Sequence, residues 1–175
     1  KIDPTKLSTP PRNYSLSDRP GLDHFRISVK REPASSASAP AGLVSNYLHS
    51  RVLEGDVLDI GPPCGEFTLD IEQVGDRPTV LISGGVGITP LMSMVNNLAH
   101  HGVESRVHFI HAARNSRHHA FAEEVRRLAA KCPSIQPHFC YDAPLPDDIR
   151  HNRCDSAGFV DEELLSKLLP TTESE

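Results

Sequence analysis

The sequence predicts two consecutive units of different class: a β unit over residues 1–73 and an α/β unit with a parallel sheet over residues 74–175. The first unit is indicated by short strand-like runs that are separated by turns containing Pro and Gly. The second is indicated by the order strand, helix, strand, helix, strand, which is typical of parallel sheets because the helices form the crossover connections. A chain of 175 residues is long enough for such units to bury an apolar core.

The N-terminal β unit is predicted to begin with a hairpin. Residues 12–17 and 25–30 are strand-like, and the second run alternates apolar and polar residues. Pro20 and Gly21 mark the turn between them. The elements predicted to follow are a loop over residues 34–41, a short helix over residues 43–48, and strands over residues 57–60 and 67–71.

The α/β unit is predicted to begin with a strand over residues 79–82, whose short apolar run is typical of a strand buried on both faces. This strand leads into a loop with several glycines and then into a helix that starts near residue 90 and ends at His101, with Thr89 as its N-cap and Pro90 at its first position. The remaining predicted elements are a strand over residues 107–110, a helix with Phe121, Val125, Leu128 and Ala129 on one face, a strand over residues 138–141 and a helix over residues 161–169.

Charge and hydropathy narrow the classes of function. The chain has 18 Lys and Arg against 23 Asp and Glu, a formal net charge of −5, so it offers no electrostatic attraction for nucleic-acid phosphates. No segment approaches the ~20 consecutive apolar residues of a membrane helix, and residues 1–12 lack the apolar region of a signal peptide. We therefore predict a soluble, cytoplasmic protein with no nucleic-acid or membrane partner.

The cysteine and histidine residues do not form a metal-binding pattern. The four cysteines, at positions 64, 132, 140 and 154, include no CxxC pair, whereas structural zinc sites usually take their ligands from closely spaced pairs. The adjacent histidines at 100–101 and 118–119 would point about 100° apart on a helix. We predict reduced structural thiols, solvent-exposed histidines and no metal.

The loop from Gly85 to Pro90 is a candidate phosphate-binding site. Glycines let a ligand approach the backbone closely, and we expect a positive φ at Gly87. The helix start that follows offers free N–H groups and a partial positive charge. Because Pro90 stands where the dinucleotide fingerprint has Gly or Ala, the alternative is a tight turn that only packs.

A second candidate lies on the predicted strand at residues 12–17. Alternation places Arg12 and Tyr14 on one face, where a guanidinium could bind phosphate and a ring could stack on a planar cofactor. An exposed arginine beside a half-buried tyrosine is the alternative.

These motifs together resemble the ferredoxin–NADP⁺ reductase superfamily. They are RxYS at 12–15, GLVS at 42–45, GxF at 65–67 and GVGITP at 85–90. The longer strings RNYSLSD, FRISVKRE, AGLVSNYLH, LISGGVGITPLMSM and HFIHAARN look most like the reductase half of a flavohaemoglobin, in the nitric oxide dioxygenase family. The resemblance implies an incomplete FAD-binding, six-stranded antiparallel β barrel over residues 1–73 and an incomplete parallel-sheet NAD(P)-binding domain over residues 74–175. The family's globin half, with its haem, is absent from this sequence.

The resemblance also implies roles for individual residues. Those implied to bind FAD are Arg12, Asn13, Tyr14, Ser15, Gly42, Leu43, Val44 and Ser45. Those implied to bind NAD(P)H are Gly85, Val86, Gly87, Ile88, Thr89 and Pro90. Tyr14 and Ser15 would lie at the flavin's reactive ring and Thr89 close to the nicotinamide, so these three are the predicted catalytic residues.

Tolerance of NADPH is predicted from the end of the strand at 107–110. Arg114 and Arg117 follow it, and no carboxylate occurs before Glu123. An arginine near this strand end can accept a 2′-phosphate, whereas Asp or Glu there favours NAD. Two solvated arginines with no ligand are the alternative.

The function implied is an FAD-dependent NAD(P)H oxidoreductase module. In the parent family its electrons pass to a globin haem that converts nitric oxide and O₂ to nitrate. Two alternatives remain open: a reductase that feeds another oxygenase or a ferredoxin, and a fragment that binds nucleotide without turnover. Measuring whether the purified chain binds FAD distinguishes the enzyme from the inactive fragment.

Overall fold

The computed structural model describes residues 10–34, 36 and 40–169. Its four-stranded sheet consists of β1 Thr79–Gly84, β2 Val107–Ala113, β3 Ile135–Tyr141 and β4 Ser156–Ala157. The strands lie in the order β1-β2-β3-β4 and every pair is parallel, which confirms the predicted parallel sheet. Since the order advances in one direction, right-handed crossovers place the connecting helices on one face.

Five α-helices are present in the described residues. They are α1 Leu43–Arg51, α2 Ile88–His100, α3 Ala122–Lys131, α4 Pro146–Arg150 and α5 Glu162–Leu168. α2 connects β1 to β2, and α3 connects β2 to β3. The two helices contact each other, as expected for neighbours on the same face of the sheet.

The core lies between the sheet and α2. Register pairs Leu81 with Phe109 on adjacent strands, and both side chains are buried. α2 covers them with residues at helical spacing that are at most 3% exposed, namely Ile88, Leu91, Met92, Val95 and Leu98. α3 contributes the fully buried Val125. On β1 burial alternates, and Val80 and Ile82 are exposed, so the predicted burial on both faces was wrong for this strand. The covered face of the sheet and the apolar stripe of α2 therefore meet in one apolar layer.

The predicted α/β elements are present, with corrections at their ends. α2 begins at Ile88 with Gly87 as N-cap, so Thr89 and Pro90 are the second and third helical residues and the N-cap prediction was wrong. The Thr89 hydroxyl donates to the Val86 carbonyl, 3.1 Å away. Pro90 is still tolerated, because the N–H of the third helical residue has no partner within a helix.

The later elements are also longer or shorter than predicted. β2 extends to Ala113 and β3 begins at Ile135. α5 is confirmed, and the Asp161 carboxylate caps it by accepting the Leu164 N–H at 2.9 Å. α4 and β4 were not predicted, since five and two residues are too short to show a periodic pattern.

The N-terminal unit differs most from its prediction. Residues 10–34, 36 and 40–73 contain α1 but no named strand, so the structure does not show the barrel. Of the predicted hairpin only one antiparallel bridge, between Leu16 and Ile27, is formed. The predicted strands at 57–60 and 67–71 are absent, and Val57 and Phe67 are 86% and 71% exposed. A strand needs a neighbour for its backbone hydrogen bonds, and these segments have none among the described residues.

Candidate functional site

The candidate site is the edge of the sheet at which the strands end. Because the strands are parallel, the loops that follow β1, β2 and β3 share this edge. Ligands of open parallel sheets bind outside the carboxyl ends of the strands. The glycine loop predicted from the sequence and the arginines at 114 and 117 both lie in these loops.

The glycine loop forms one short 3₁₀ turn, Gly85–Gly87, between β1 and α2. Its positive φ, +52°, is at Gly85, whereas Gly87 has a φ of −61°, so the expectation of a positive φ at Gly87 was wrong. A Cβ on Gly85 would meet nothing within 4 Å, and one on Gly87 would meet only the Ser83 Cβ at 4.0 Å. The space beside both residues is therefore open to a ligand.

The start of α2 presents backbone rather than side chains to that space. Gly87, the N-cap, has no side chain to satisfy the free N–H groups of the first turn. The side chain of Ile88 is fully buried, and Thr89 is 7% exposed with its hydroxyl bonded to Val86. Val86, in contrast, is 52% exposed. Backbone N–H groups with a helix start are suited to bind phosphate.

The loops after β2 and β3 are hydrogen-bonded to each other. The N–H groups of Asp142 and Ala143 donate to the carbonyls of Ala113 and Arg114, at 3.2 and 3.0 Å. The Asn115 side-chain amide donates to the Ala143 carbonyl at 3.3 Å. Arg114 itself is exposed, as is Arg117. The two loops thus form one braced surface from which these arginines project.

Asp148, on α4, is buried and hydrogen-bonds to the backbone of both loops. It has no exposed side-chain area, and its Oδ2 accepts the N–H groups of Ser116 at 3.2 Å and Leu145 at 3.0 Å. Burial opposes its charge, but these hydrogen bonds and Arg153 prevail and lower the pKa of Asp148 to about 2. Asp148 was not predicted from the sequence, because a carboxylate on an unpredicted short helix gives no periodic signal.

On the helix-covered face of the sheet, near the same edge, polar side chains form two hydrogen-bonded pairs. The Ser83 hydroxyl and His111 Nδ1 are 2.8 Å apart, and His119 Nδ1 is 2.9 Å from the Tyr141 hydroxyl. The two imidazole rings lie 4.6 Å apart between centroids. The predicted exposure of the His118–His119 pair was wrong at His119, which is 8% exposed.

Burial shifts the titration of these side chains. It lowers the pKa of His111 to about 4. It also lowers the pKa of His119 to about 3, with smaller effects from His111 and Arg126. Burial, together with Asp148, raises the pKa of Tyr141 to about 12. The two histidines are therefore neutral near pH 7 and act as hydrogen-bonding core residues.

The residues expected to bind FAD lie in two places. Arg12, Asn13 and Ser15 are exposed and Tyr14 is half-buried, in the segment that precedes the Leu16 bridge. Arg12 makes no hydrogen bond or ion pair with any other described residue.

The second place is the start of α1, where Gly42 is an N-cap without a side-chain cap. The N–H groups of Leu43, Val44 and Ser45 occupy the first helical turn, where a helix provides no partner. The Ser45 hydroxyl turns inward and donates to the Gly42 carbonyl at 3.2 Å. A Cβ on Gly42 would come within 2.8 Å of that hydroxyl oxygen, so a larger residue here would displace the Ser45 side chain. Within the described residues no hydrogen bond or ion pair joins either place to the glycine loop.

The described residues contain neither a metal-binding cluster nor a membrane helix. Across residues 10–34, 36 and 40–169, no three His, Cys, Asp or Glu side chains converge on a possible metal site. No helix in those ranges is long and apolar enough to cross a membrane. All four cysteines are free thiols, of which Cys64 is exposed and Cys140 is buried.

Comparison with known proteins shows relatives along almost the whole chain. Residues 81–175 match the family described as "Oxidoreductase NAD-binding domain". The chain is 48% identical over 174 residues to the flavohemoprotein of Rhodopirellula baltica, covering 99% of this chain and 42% of that protein. It is 46% identical over 164 residues to the flavohemoprotein of Bacillus cereus, covering 94% and 40%. The chain thus spans about two fifths of the length of these relatives.

Two solved structures are also similar to this chain. The flavohem-like FAD/NAD binding domain of nitric oxide dioxygenase from Vibrio cholerae superposes with a TM-score of 0.76 at 34% identity, over 93% of this chain and 62% of that one. The cytochrome b5 reductase domain of Ulva prolifera nitrate reductase superposes with a TM-score of 0.69, over 93% of this chain and 63% of that one. At 22% identity the second likeness concerns the fold alone.

The buried histidines predict an acid-sensitive fold. Their pKa values in the folded chain lie below the ordinary value of 6.5, so the unfolded chain binds protons first as the pH falls. Each histidine should lower the free energy of unfolding by up to roughly 3 kcal/mol between about pH 6.5 and about pH 4, and neither acts above that window. Urea denaturation across this range measures it.

The variant His119→Gln should show a smaller loss of stability on acidification than the unsubstituted chain. His101→Gln is the matched control, because His101 is exposed. Equal pH dependence in the two variants would contradict the assigned role of burial.

Proposed function

The chain belongs to the oxidoreductase NAD-binding domain family and corresponds to the reductase region of flavohemoproteins, and on that basis we propose that it transfers electrons from NAD(P)H to FAD. The observation that carries this proposal is the open glycine loop between β1 and the uncapped start of α2. The division into an FAD-binding unit over residues 1–73 and an NAD(P)-binding unit over residues 74–175 is part of the proposal.

The glycine loop fits a dinucleotide pyrophosphate. The open space at Gly85 and Gly87 admits a ligand to the backbone, and the N–H groups at the start of α2 favour its negative charge. Val86, Ile88 and Pro90 complete the loop, with Thr89 holding its shape through the bond to Val86. We assign Thr89 to the neighbourhood of the nicotinamide.

The N-terminal residues fit a second phosphate-bearing cofactor. Arg12 is exposed and without an acidic partner among the described residues, so its guanidinium is available for forked hydrogen bonds to a pyrophosphate. Asn13 lies beside it. The start of α1, with Gly42 and the N–H groups that follow, offers a further anion-binding position. Tyr14 and Ser15 would contact the isoalloxazine.

The protein's part in the reaction is to bind and orient two cofactors, since the redox chemistry belongs to them. When bound, FAD would accept a hydride from the nicotinamide and release single electrons to an acceptor. The glycine loop fixes the nicotinamide nucleotide, and the segment with Arg12, Tyr14 and Ser15 fixes the flavin. By likeness to the flavohemoprotein relatives, we assign the acceptor as a globin haem that converts nitric oxide and O₂ to nitrate.

One observation favours a second candidate function. The described residues form no barrel, so the chain as it stands would be a nucleotide-binding module without turnover if FAD does not bind. Adding FAD and then NADH to the purified chain separates the two candidates. Uptake of FAD followed by bleaching of its absorbance supports the reductase, and a chain that stays colourless refutes it.

The variant Gly87→Val should abolish flavin reduction by NADH while FAD stays bound. The nearest atom to a Cβ at this position is 4.0 Å away and its φ is −61°, so the side chain fits the fold but fills the space of the ligand. Rapid-mixing absorbance of the flavin measures the rate. Gly61→Val is the control, because a Cβ there meets nothing within 4 Å. Normal reduction in the Gly87 variant would place the pyrophosphate elsewhere.

The variant Arg12→Ala should weaken FAD binding more than folding. Loss of a charge-assisted contact costs on the order of 1.5–3 kcal/mol, which is roughly ten- to a hundredfold in affinity. Flavin fluorescence gives the affinity, and thermal unfolding without FAD gives the stability. Arg51→Ala, at the exposed end of α1, serves as the control. Equal FAD affinity in both variants would remove Arg12 from the site.

The double variant Arg114→Ala and Arg117→Ala should raise the KM for NADPH and leave that for NADH nearly unchanged. Both arginines are exposed beside the end of β2, where a 2′-phosphate can be bound. Steady-state kinetics with the two nucleotides provides its own internal control. A parallel change in both KM values would show that the arginines do not distinguish the phosphate.

A further inference from the structure

Arg26 joins the N-terminal segment to the α/β unit. Its guanidinium makes a forked contact with Glu124 on α3, with Nη1 3.2 Å from Oε2 and Nη2 2.8 Å from Oε1. The two residues are separated by 98 positions in the sequence. Forked contacts between arginine and carboxylate fix both distance and orientation, unlike the single contact of a lysine.

Arg26 is also held firmly on its own side. Its Nη2 donates to the Ser17 carbonyl, and its Nη1 lies 3.4 Å from a carboxylate oxygen of Asp18. The Arg26 carbonyl in turn accepts the Ser17 N–H at 2.8 Å, next to the Leu16–Ile27 bridge. The guanidinium is therefore an integral part of the hairpin, and whatever it binds is fixed relative to the hairpin.

Glu124 also connects this contact to α2. Glu124 Oε1 accepts a hydrogen bond from the side-chain amide of Asn96, on α2, at 3.2 Å. The Phe121 ring lies 5.5 Å from the guanidinium carbon, within the range of a cation–π contact. Phe121 has a φ of +64°, a conformation that is unfavourable for a bulky residue and that places its ring at this junction.

The Arg26 contact has no equivalent among the other side chains of residues 10–34 and 40–60. No other side-chain hydrogen bond or ion pair runs from residues 10–34 or 40–60 to residues 74–169. The side chains of Arg26 and Glu124 are 31% and 24% exposed, so the pair is screened less than a surface ion pair. A forked and partly buried pair of this kind can constrain how the two parts are arranged.

We propose that the Arg26–Glu124 pair sets the position of the hairpin relative to the glycine loop, which makes Arg26 a positioning residue for electron transfer between nicotinamide and flavin. Residues 12–15 directly precede the Leu16–Ile27 bridge, and α2, which Asn96 connects to Glu124, begins at the glycine loop. This inference rests on the proposed function, because it assumes that the flavin binds at residues 12–15 and the nicotinamide at the glycine loop.

The expected effect is on rate rather than on binding. Hydride transfer requires the reacting atoms to lie about 3–3.5 Å apart, and a displacement of about 1 Å can reduce the rate by about a hundredfold. Neither Arg26 nor Glu124 is expected to touch a cofactor. Loss of the pair should therefore slow flavin reduction at saturating NADH and leave the affinities for FAD and NADH nearly unchanged.

The test is stopped-flow reduction of the FAD-loaded chain over a range of NADH concentrations. Glu124→Gln keeps the shape of the side chain and removes its charge, and it should lower the saturating rate about tenfold or more. Arg26→Gln should do the same, and Arg26→Lys, which keeps the charge without the fork, should lose less. The control is Glu123→Gln, one residue earlier on α3, whose side chain is 81% exposed and pairs with Arg126. It should reduce flavin at the normal rate.

A double variant makes the test specific to the pair. If the two side chains act together, Arg26→Gln with Glu124→Gln loses no more rate than either single variant. Unchanged rates in the single variants, additive losses in the double variant, or release of FAD from Glu124→Gln would each overturn the proposal. If NADH does not reduce the flavin of the unsubstituted chain, the proposed function fails, and the role of Arg26 fails with it.

Discussion

The parallel pairing of β1, β2 and β3 is the constraint on which the rest of the α/β unit depends. Thr79, Val107 and Ile135 are aligned in register, so the three strands start level and end close together. Each connection must return to the starting edge, and helices α2 and α3 do this on one face of the sheet. The same geometry collects the glycine loop and the loops after β2 and β3 at one edge. The strand topology thus determines where the candidate site lies, and the side chains determine what it can bind.

Buried polar groups then give that edge its shape. The loops after β2 and β3 carry backbone N–H groups that strand pairing does not satisfy, and Asp148 and Asn115 provide partners for some of them. A buried carboxylate is costly to leave unpaired, which is why Asp148 accepts two N–H groups and lies near Arg153. Rigid loops hold a ligand without the entropic cost of ordering them at each binding event.

The sequence was most informative where a pattern repeats within a short segment. β1 was predicted because it is a short apolar run, and α2 because its apolar residues recur at the period of a helix. The glycine loop follows from their junction. Asp148, His111 and His119 were not recognised, since their role depends on partners far along the chain, such as Ser116, Ser83 and Tyr141. The resemblance of short motifs to reductases identified the family, which neither composition nor periodicity could do.

In the N-terminal unit the predicted helix is present, whereas the predicted strands at 57–60 and 67–71 are absent. α1 satisfies its backbone hydrogen bonds internally, and the side chains of Asn46 and His49 join it to the carbonyls of Glu32 and Val29. A strand depends on a second strand, and the runs at 57–60 and 67–71 keep large apolar side chains such as Val57, Ile60 and Phe67 exposed. The hairpin near Leu16 differs, because Arg26 anchors it to Glu124 on a helix that is itself fixed by the core. The Arg26–Glu124 contact therefore joins the segment that is expected to carry the flavin to the folded α/β unit.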